Sequence, residues 1–220
     1  MEIKPIGYIK NGFCEKFGIP RQSGISSALS QIIIEKEFSD INAFRGIEEF
    51  SHLWLIWEFK RMSEGFSPTV RPPRLGGNKR MGVFATRSPN RPNSLGLSLV
   101  KLRSVAQTAD GIVLEVTGAD ILSGTPIYDI KPYLPSFEAV LESVGGFSDE
   151  NLSHRLSVVY DEGIFVKTTP EIKDEIIEIL SSDPRPSYQE DKLRIYGIKY
   201  YDLEVKFRVE GEKLYIISIE

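Results

Sequence analysis

Two proline-rich polar segments contain the residues of this chain that are best suited to chemistry. They span residues 82–96 and 123–135. Proline fixes its own backbone angle and restricts the preceding residue to extended conformations, so the first segment is expected to form a stiff loop. Such a loop suits recognition of a ligand's polar groups, although an ordinary turn that closes a barrel is the alternative. The polar side chains that project from it are Arg87, Asn90, Arg91 and Asn93.

The second segment places Asp129, Lys131 and Tyr133 at alternate positions. Alternate residues of a β-strand share one face, so these three side chains are expected to lie together. A carboxylate there could accept a proton or hold an amine, and a lysine could steady an oxygen of a substrate. The alternative is that Asp129 and Lys131 form a structural ion pair.

Other common catalytic patterns are absent from the sequence. No G-x-G-x-x-G or G-x-x-x-x-G-K phosphate loop occurs. Cys14 is the only cysteine, and no Cys/His spacing is typical of a metal site, so no metal is expected. His52 and His154 are the only histidines, and both are interpreted as structural residues.

Short runs of β-branched and aromatic residues dominate the first two thirds of the chain, which is typical of an all-β domain. Asp110–Gly111 lies between two of these runs and is a hairpin signal. Many short strands with turn-rich connections favour a closed antiparallel β-barrel, which leaves no exposed sheet edges. The predicted strands are 31–38, 52–59, 82–86, 97–105, 112–116 and 126–131, with a helical turn at 45–51.

The pattern changes after Gly145–Gly146. A strand is predicted at 155–160, and a helix at 170–180 with Thr169 as its N-cap and Pro170 in its first position. Strict alternation predicts a half-buried strand over 201–209, followed by a last strand at 214–219. The predicted fold is therefore mainly β, with a barrel domain over 1–148 and a small α+β domain over 149–220.

Positive charge is concentrated in one part of an acidic protein. The chain has a formal net charge of −4, yet residues 60–91 contain eight basic residues and one acidic residue. A basic patch on an acidic body fits local docking of a phosphate backbone. A solvated loop whose charges pair with acids elsewhere is the alternative.

Several distinctive segments occur along the chain in this order: PRQSGI, PTVRPPRLGGNKRMGVF, GVFATRSPNRPNSLGLS, SGTPIYDIKPYLP, DPRPSYQ and DLEVKF. Together they resemble one protein family, the bacterial and archaeal tRNA threonylcarbamoyladenosine N6-methyltransferases, which have a TsaA-like barrel. The resemblance covers about residues 1–147, and a weaker one extends into the C-terminal region. The chain departs from the family pattern at Asn90, Ser94 and Ser123, and the last replaces an acid, which removes a charge contact from that position.

The resemblance implies a homodimer that binds S-adenosylmethionine at the mouth of a barrel rather than on a Rossmann sheet. It also implies methylation of N6 of a threonylcarbamoylated adenosine next to the anticodon of tRNA. N6 carries a carbamoyl group and must lose a proton, so Asp129, Lys131 and Tyr133 are the candidate catalytic residues. No metal is required, because the sulfonium already activates the methyl group.

The resemblance and the two polar segments together indicate the cofactor site. The candidate cofactor-binding residues are Gln22, Ser23, Gly24, Ile25, Lys60, Arg61, Arg87, Asn90, Arg91, Asn93, Leu122, Ser123, Gly124 and Thr125. The basic segment and the proline-rich loop 183–189 supply the candidate tRNA-binding residues, which are Arg71, Arg74, Lys79, Arg80, Arg185 and Tyr188. The alternative for this loop is that Asp183 and Pro184 end the helix and Tyr188 packs under the final hairpin. Deletion of residues 149–220 is expected to spare cofactor binding and to lower tRNA methylation.

Two other classes of function remain open: a non-catalytic RNA-binding barrel of the same fold, and an enzyme that acts on a small molecule. The basic segment argues against the second, because a small substrate needs no extended phosphate-binding surface. The N-terminus lacks the basic start and apolar run of a signal peptide, and the apolar run at 53–57 is too short to span a bilayer. A cytoplasmic protein without a membrane segment is expected.

Overall fold

A computed structural model describes residues 2–59, 66–72, 79–109, 111–151, 154–185 and 191–220. Strands predominate in these parts of the chain, joined by 3-10 turns and two α-helices. The strands are β1 (Gly7–Asn11), β2 (Leu29–Ile34), β3 (His52–Glu58), β4 (Thr69–Val70), β5 (Met81–Gly82), β6 (Leu95–Thr108), β7 (Gly111–Thr117), β8 (Pro126–Pro132), β9 (Ser157–Val159), β10 (Tyr196–Tyr200), β11 (Leu203–Glu210) and β12 (Lys213–Ile219), and the helices are α1 (Pro135–Glu138) and α2 (Pro170–Ser181).

Six strands close the predicted antiparallel barrel in the order β1-β2-β7-β6-β3-β8. Alternation of side chains builds its core, since β3 points Leu53, Leu55 and Trp57 inward and its intervening residues outward. The inward residues of β7 (Ile112, Leu114 and Val116) are fully buried as well. The expected barrel fold is therefore confirmed.

The β6–β7 hairpin forms where Asp110–Gly111 predicts it. Thr108 and Gly111 pair across the turn, and Gly111 has a φ of +123°, a backbone angle that favours glycine. Between β2 and β3, where one helical turn was predicted, three short 3-10 turns lie at Lys36–Phe38, Ile41–Phe44 and Ile47–Glu49.

Several strand predictions are wrong in extent. The run 201–209 begins with a turn at Tyr201 and Asp202, and its strand starts at Leu203. The run 82–86 contributes only Gly82 to a strand, and Val83–Ala85 forms a 3-10 turn that buries Val83. The run 31–38 leaves the strand after Ile34 and also ends in a 3-10 turn. Only Ser157–Val159 of the run 155–160 forms a strand. Apolar residues alone did not distinguish these short buried turns from strands.

A second sheet has the order β10-β11-β12-β9, with β9 parallel to β12. Helix α2 packs against it through Ile176, Ile179 and Leu180, which are buried in the second core together with Phe207. The predicted cap is present, since the Thr169 hydroxyl accepts a hydrogen bond from the Ile172 amide. These elements confirm an α+β C-terminal region.

The connection between β1 and β2 joins the two cores. Phe13 and Ala28 are buried in the second core, although both precede the predicted boundary. Phe13 forms a β-bridge with Tyr200, and the Tyr201 amide donates to the Gly12 carbonyl at 2.8 Å. We propose the boundary at residues 148 and 149, with residues 12–28 of the barrel domain packed across it.

Candidate functional site

Three connections leave the same end of the barrel. Strands β1, β3 and β7 end there, and β2, β6 and β8 begin there. The connections are therefore residues 12–28, 59–94 and 118–125. All candidate cofactor-binding residues lie in them, so the fold gathers these residues at one barrel end; Lys60 and Arg61 fall outside the described residues.

A cavity of about 460 Å³ lies beside this end. This volume is within the range of roughly 300–1,000 Å³ that is usual for small-molecule sites. The walls come from the 22–27 loop, the outer faces of β3 and β6, the end of β7, and α2. The lining residues are Ser23, Gly24, Ser26, Ser27, His52, Trp54, Arg87, Leu99, Lys101, Thr117, Gly118 and Glu178.

Backbone geometry holds the 22–24 loop against the barrel. The Gly24 amide donates to the Gly118 carbonyl at 2.9 Å, and both glycines have positive φ angles, +78° and +89°. A side chain on Gly118 would begin 3.4 Å from the Gly24 backbone, whereas Gly24 itself faces open space. The Leu99 amide donates to the Ser23 hydroxyl at 3.2 Å. The loop therefore presents its Ser23–Gly24 backbone to the cavity in a fixed position.

Arg87 is the residue of the 82–96 segment that reaches this cavity. Its guanidinium donates to the Gln22 side-chain carbonyl at 2.7 Å and so ties the segment to the 22–24 loop. Arg91 bonds within its own loop instead: it donates to the carbonyls of Val83 and Thr86 at 3.1 and 2.7 Å. The lining does not include Gln22, Ile25, Asn90, Arg91 or Asn93, so their cofactor roles stay predictions.

The turn at 122–125 lies at the same barrel end, but it forms hydrogen bonds with β1 and with the residues that follow β1. The amides of Ser123 and Gly124 donate to the carbonyls of Phe13 and Ile9 at 2.9 and 2.7 Å. The Thr125 amide donates to the Leu122 carbonyl at 3.2 Å. These amides are thus already engaged within the protein, and the cavity lining does not include the turn.

Asp129 and Lys131 lie on the outer face of the barrel, as alternation predicts. Asp129 is opposite Ile56 and Lys131 is opposite Trp54 across β3. The charged atoms of Asp129 and Lys131 are 3.0 Å apart, so the two side chains form an ion pair. Their side chains are 45% and 61% exposed, so the pair is open to solvent. An exposed pair contributes at most about 1 kcal/mol to stability. The contribution of this pair to the stability of the protein is therefore too small to explain why the two residues are present.

Aromatic side chains connect this face to the cavity. The Tyr133 ring lies 6.0 Å from Trp54 and 6.4 Å from His52, with edge-to-face geometry. Trp54 and His52 both line the cavity. Trp54 of β3 pairs with Leu99 of β6 on one side and with Lys131 of β8 on the other. Leu99 and Lys131 are therefore two strand spacings apart, about 10 Å. The candidate catalytic residues thus border the cavity across one strand.

Several cavity residues were not predicted from the sequence. Trp54 and Lys101 were read only as parts of strands, and His52 was interpreted as structural. Glu178 is distant in sequence, but its carboxylate accepts hydrogen bonds from the amide and the hydroxyl of Ser27 at 2.6 and 2.7 Å. Period-two alternation marks Trp54 and His52 as sharing one face, whereas only tertiary packing reveals Glu178.

The candidate tRNA-binding residues fall into two groups. Arg71, Lys79 and Arg80 are exposed around the β4–β5 hairpin. Arg185 is only 11% exposed and forms a two-pronged ion pair with Asp183 at 2.9 and 3.0 Å. Burial opposes ionisation of Asp183, but hydrogen bonds from Arg185 and His154 outweigh it and hold the pKa of Asp183 below its ordinary value. Arg74 and Tyr188 fall outside the described residues.

In the described parts of the chain, no helix has both the length and the apolar character needed to cross a bilayer. Across the same residues, no group of three or more His, Cys, Asp or Glu side chains is arranged to hold a metal ion.

Comparison with known proteins assigns the chain to a family. Residues 8–139 match the tRNA-methyltransferase O N-terminal domain and residues 162–220 match the TrmO C-terminal domain. The chain is 37% identical over 229 residues to the "tRNA (adenine(37)-N6)-methyltransferase" of Escherichia coli, covering 100% of this chain and 97% of the relative. It is 38% identical over 164 residues to a Pyrococcus abyssi protein named "Probable S-adenosyl-L-methionine-binding protein", covering 74% of this chain and 83% of the relative.

A solved structure agrees with this assignment. The crystal structure of TrmO from Pseudomonas aeruginosa superimposes with a TM-score of 0.79 at 29% sequence identity, covering 100% of this chain and 98% of that one. The family match includes both the barrel and the C-terminal region. The chain therefore belongs to the tRNA-methyltransferase O (TrmO) family.

Proposed function

We propose that this protein transfers a methyl group from S-adenosylmethionine to N6 of threonylcarbamoyladenosine next to the anticodon of tRNA. The observation that carries the proposal is the arrangement of the cavity beside the Asp129–Lys131 pair, in a chain of the TrmO family. The test is transfer of a labelled methyl group from the cofactor to unmethylated tRNA. Transfer to tRNA and not to a free small molecule is expected.

The cavity residues fit S-adenosylmethionine. The Ser23–Gly24 backbone has room for a ligand, because no described atom outside residues 23–25 lies within 4 Å of the position that a Gly24 side chain would take. Arg87 can pair with a carboxylate, Glu178 can face a positive group, and Trp54 offers an aromatic surface. When bound, the cofactor supplies a methyl group on a positively charged sulfur.

The residues of the outer face would act on the target nucleoside. The carbamoyl group withdraws electrons from N6, so N6 must lose a proton as it reacts, and Asp129 would accept that proton. Lys131, 3.0 Å from Asp129, would steady the carbonyl or carboxylate oxygen of the threonylcarbamoyl group. Tyr133, in contact with Trp54, would help to position the base. Holding the reactants in place contributes roughly 7–11 kcal/mol in favourable cases.

The basic segment would dock the tRNA backbone. Affinity for tRNA should fall steeply with salt, because each neutralised phosphate releases counterions. A triple variant with Arg71, Arg74 and Lys79 replaced by alanine is expected to have a flatter dependence of log affinity on log salt, with unchanged cofactor affinity. Fluorescence titration at several salt concentrations measures the slope. A slope equal to that of the wild type would show that these residues do not contact the tRNA backbone.

The C-terminal region would add contacts to the anticodon loop through residues 183–189. Tyr188 could stack on a base. Arg185 is already paired with Asp183, so a phosphate contact would require that ion pair to open. A tRNA substrate fits a cytoplasmic enzyme.

A homodimer is the proposed assembly. Apolar side chains remain exposed in the segment after β8, where Phe137, Leu141 and Val144 are 86%, 97% and 88% exposed. Large apolar residues clustered on a surface are typical of an interface. Sedimentation analysis is expected to show a dimer that Leu141→Glu weakens. A monomeric wild-type protein at micromolar concentration would contradict this assembly.

A further inference from the structure

Trp54 forms part of the cavity wall and projects from the outer face of β3. It is half-buried, whereas Trp57 of the same strand points into the barrel core and is only 4% exposed. Close packing on all sides fixes a core side chain such as Trp57 but leaves part of the Trp54 indole exposed. The orientation of Trp54 therefore depends on the groups that contact its ring and its Nε1–H.

A carboxylate in the short helix after β8 accepts a hydrogen bond from that N–H. Glu138 Oε1 accepts from Trp54 Nε1 at 3.0 Å, and Glu138 Oε2 accepts from the Leu134 amide at 2.7 Å. The indole N–H lies in the plane of the ring, and a hydrogen bond weakens when it is bent, so this bond restricts rotation of the ring. Tyr133 makes an edge-to-face contact with the same indole at a centroid distance of 6.0 Å.

Burial does not hold the helix that carries Glu138. Helix α1 has four residues, and all four are exposed, Phe137 at 86%. A helix of one turn is not stable by itself in water. The two hydrogen bonds of the Glu138 carboxylate therefore join α1 to the barrel, since one is made to the start of the helix and the other to the cavity wall.

The two bonds explain why the residue is an acid. A carboxylate has two oxygens that accept from two N–H donors at once, whereas a glutamine side chain has one acceptor oxygen and an amino group that only donates. Glutamine at position 138 cannot reproduce both bonds in their present geometry. The link between Trp54 and α1 thus requires glutamate.

We propose that Glu138 is a positioning residue for the cofactor site, holding the Trp54 indole in the orientation in which it contacts S-adenosylmethionine. This inference rests on the proposed assignment of the cavity to the cofactor. Glu138 does not line the cavity, so it acts through Trp54. Tyr133 lies just before α1 and contacts Trp54, so the same link joins the cavity wall to a residue that would act on the nucleoside.

Calorimetric binding of S-adenosylhomocysteine and S-adenosylmethionine to the full chain is the first test. Glu138→Ala is expected to weaken affinity about five- to tenfold, the effect of one hydrogen bond. The melting temperature should stay unchanged, because the side chain is exposed. Glu138→Gln, which retains one acceptor, should lose less affinity. Glu142→Gln, at an exposed acid of the same segment, is the matched control and should bind normally.

The indole N–H signals report the orientation of Trp54 in the free protein. The chain has two tryptophans, so proton–nitrogen correlation spectra contain two indole signals, and Trp54→Phe assigns them by removing one. Glu138→Ala should shift the Trp54 signal and speed its exchange with solvent. The Trp57 signal should stay in place, because its N–H donates to Ser98 in the core at 2.9 Å.

A double-mutant cycle tests whether Glu138 acts through the indole. In the Trp54→Phe background, Glu138→Ala should cause no further loss of affinity, because no indole N–H is left to hold. Equal losses in the wild-type and Trp54→Phe backgrounds would show that Glu138 acts on another group.

The outcomes separate this inference from the proposed function. Wild-type affinity in Glu138→Ala overturns the inference alone, and so does a loss of affinity without a change in the Trp54 signal. A lower melting temperature with a parallel loss of affinity also overturns it, because it indicates a structural residue. If the wild-type chain binds neither compound, the assignment of the cavity to the cofactor fails and the inference fails with it.

Discussion

Replacing Asp129 with asparagine is expected to lower the rate of methyl transfer about 100- to 10,000-fold, the usual contribution of a positioned general base. The amide keeps the size of the side chain but cannot accept the N6 proton. Cofactor affinity should be unchanged, because Asp129 does not line the cavity. Single-turnover methylation with saturating cofactor and tRNA measures the chemical step.

The exposure of the ion pair makes this test decisive. A structural role for a pair exposed by 45% and 61% predicts a stability change of no more than about 1 kcal/mol and almost no effect on rate. Asp202→Asn serves as the control for a carboxylate-to-amide change elsewhere. A rate for Asp129→Asn within threefold of the wild type would show that the pair is structural and that the base lies elsewhere.

Deletion of residues 149–220 is expected to abolish cofactor binding, contrary to the expectation from the sequence. The structure supplies the reason: Phe13 and Ala28 pack into the core of the deleted part. The Leu29 amide also donates to Glu175 of α2 at 2.7 Å. Without these contacts, the 12–28 connection loses the support that shapes one wall of the cavity. Solubility and calorimetry of the truncated chain report the outcome.

A point variant tests the same coupling in the full chain. Glu178→Ala removes two solvent-exposed hydrogen bonds to Ser27, and a bond to a charged group contributes about 1.5–3 kcal/mol. Loss of the equivalent of one such bond from cofactor binding lowers affinity about ten- to a hundredfold, which is the expected result. Asp174→Ala, an exposed acid on the same helix, is the matched control. Normal affinity in Glu178→Ala, together with a soluble truncated barrel that binds cofactor, would contradict the coupling.

Much of the fold could be predicted because local patterns agree with the tertiary structure. Strict alternation marks β11, a Thr–Pro cap marks α2, and Asp–Gly marks the β6–β7 hairpin. The short strands β1 and β10 were missed, since GYIKN and YGIKY mix glycine and lysine with their apolar residues. Their burial arises from pairing with β2 and β11, which no local propensity encodes.

The site was predictable only in part. The polar segments and the resemblance indicated Ser23, Gly24 and Arg87, which the structure brings to one cavity. Glu178 was not predicted, because its place in the cavity wall depends on a contact with Ser27, which lies 151 positions away in the sequence. Arg91 was assigned to the cofactor as part of the proline-rich loop, and Arg185 to tRNA as part of the loop 183–189. In the structure Arg91 donates to backbone carbonyls and Arg185 pairs with Asp183, and their ligand roles stay predictions.

Mass spectrometry of tRNA nucleosides tests the central claim most directly. tRNA from cells that lack the gene should contain threonylcarbamoyladenosine without the N6 methyl group. Incubation with the purified protein and S-adenosylmethionine should convert it to the nucleoside that is one methyl group heavier, and the Asp129→Asn variant should do so only slowly. Unchanged threonylcarbamoyladenosine in the presence of wild-type protein with bound cofactor would contradict the account.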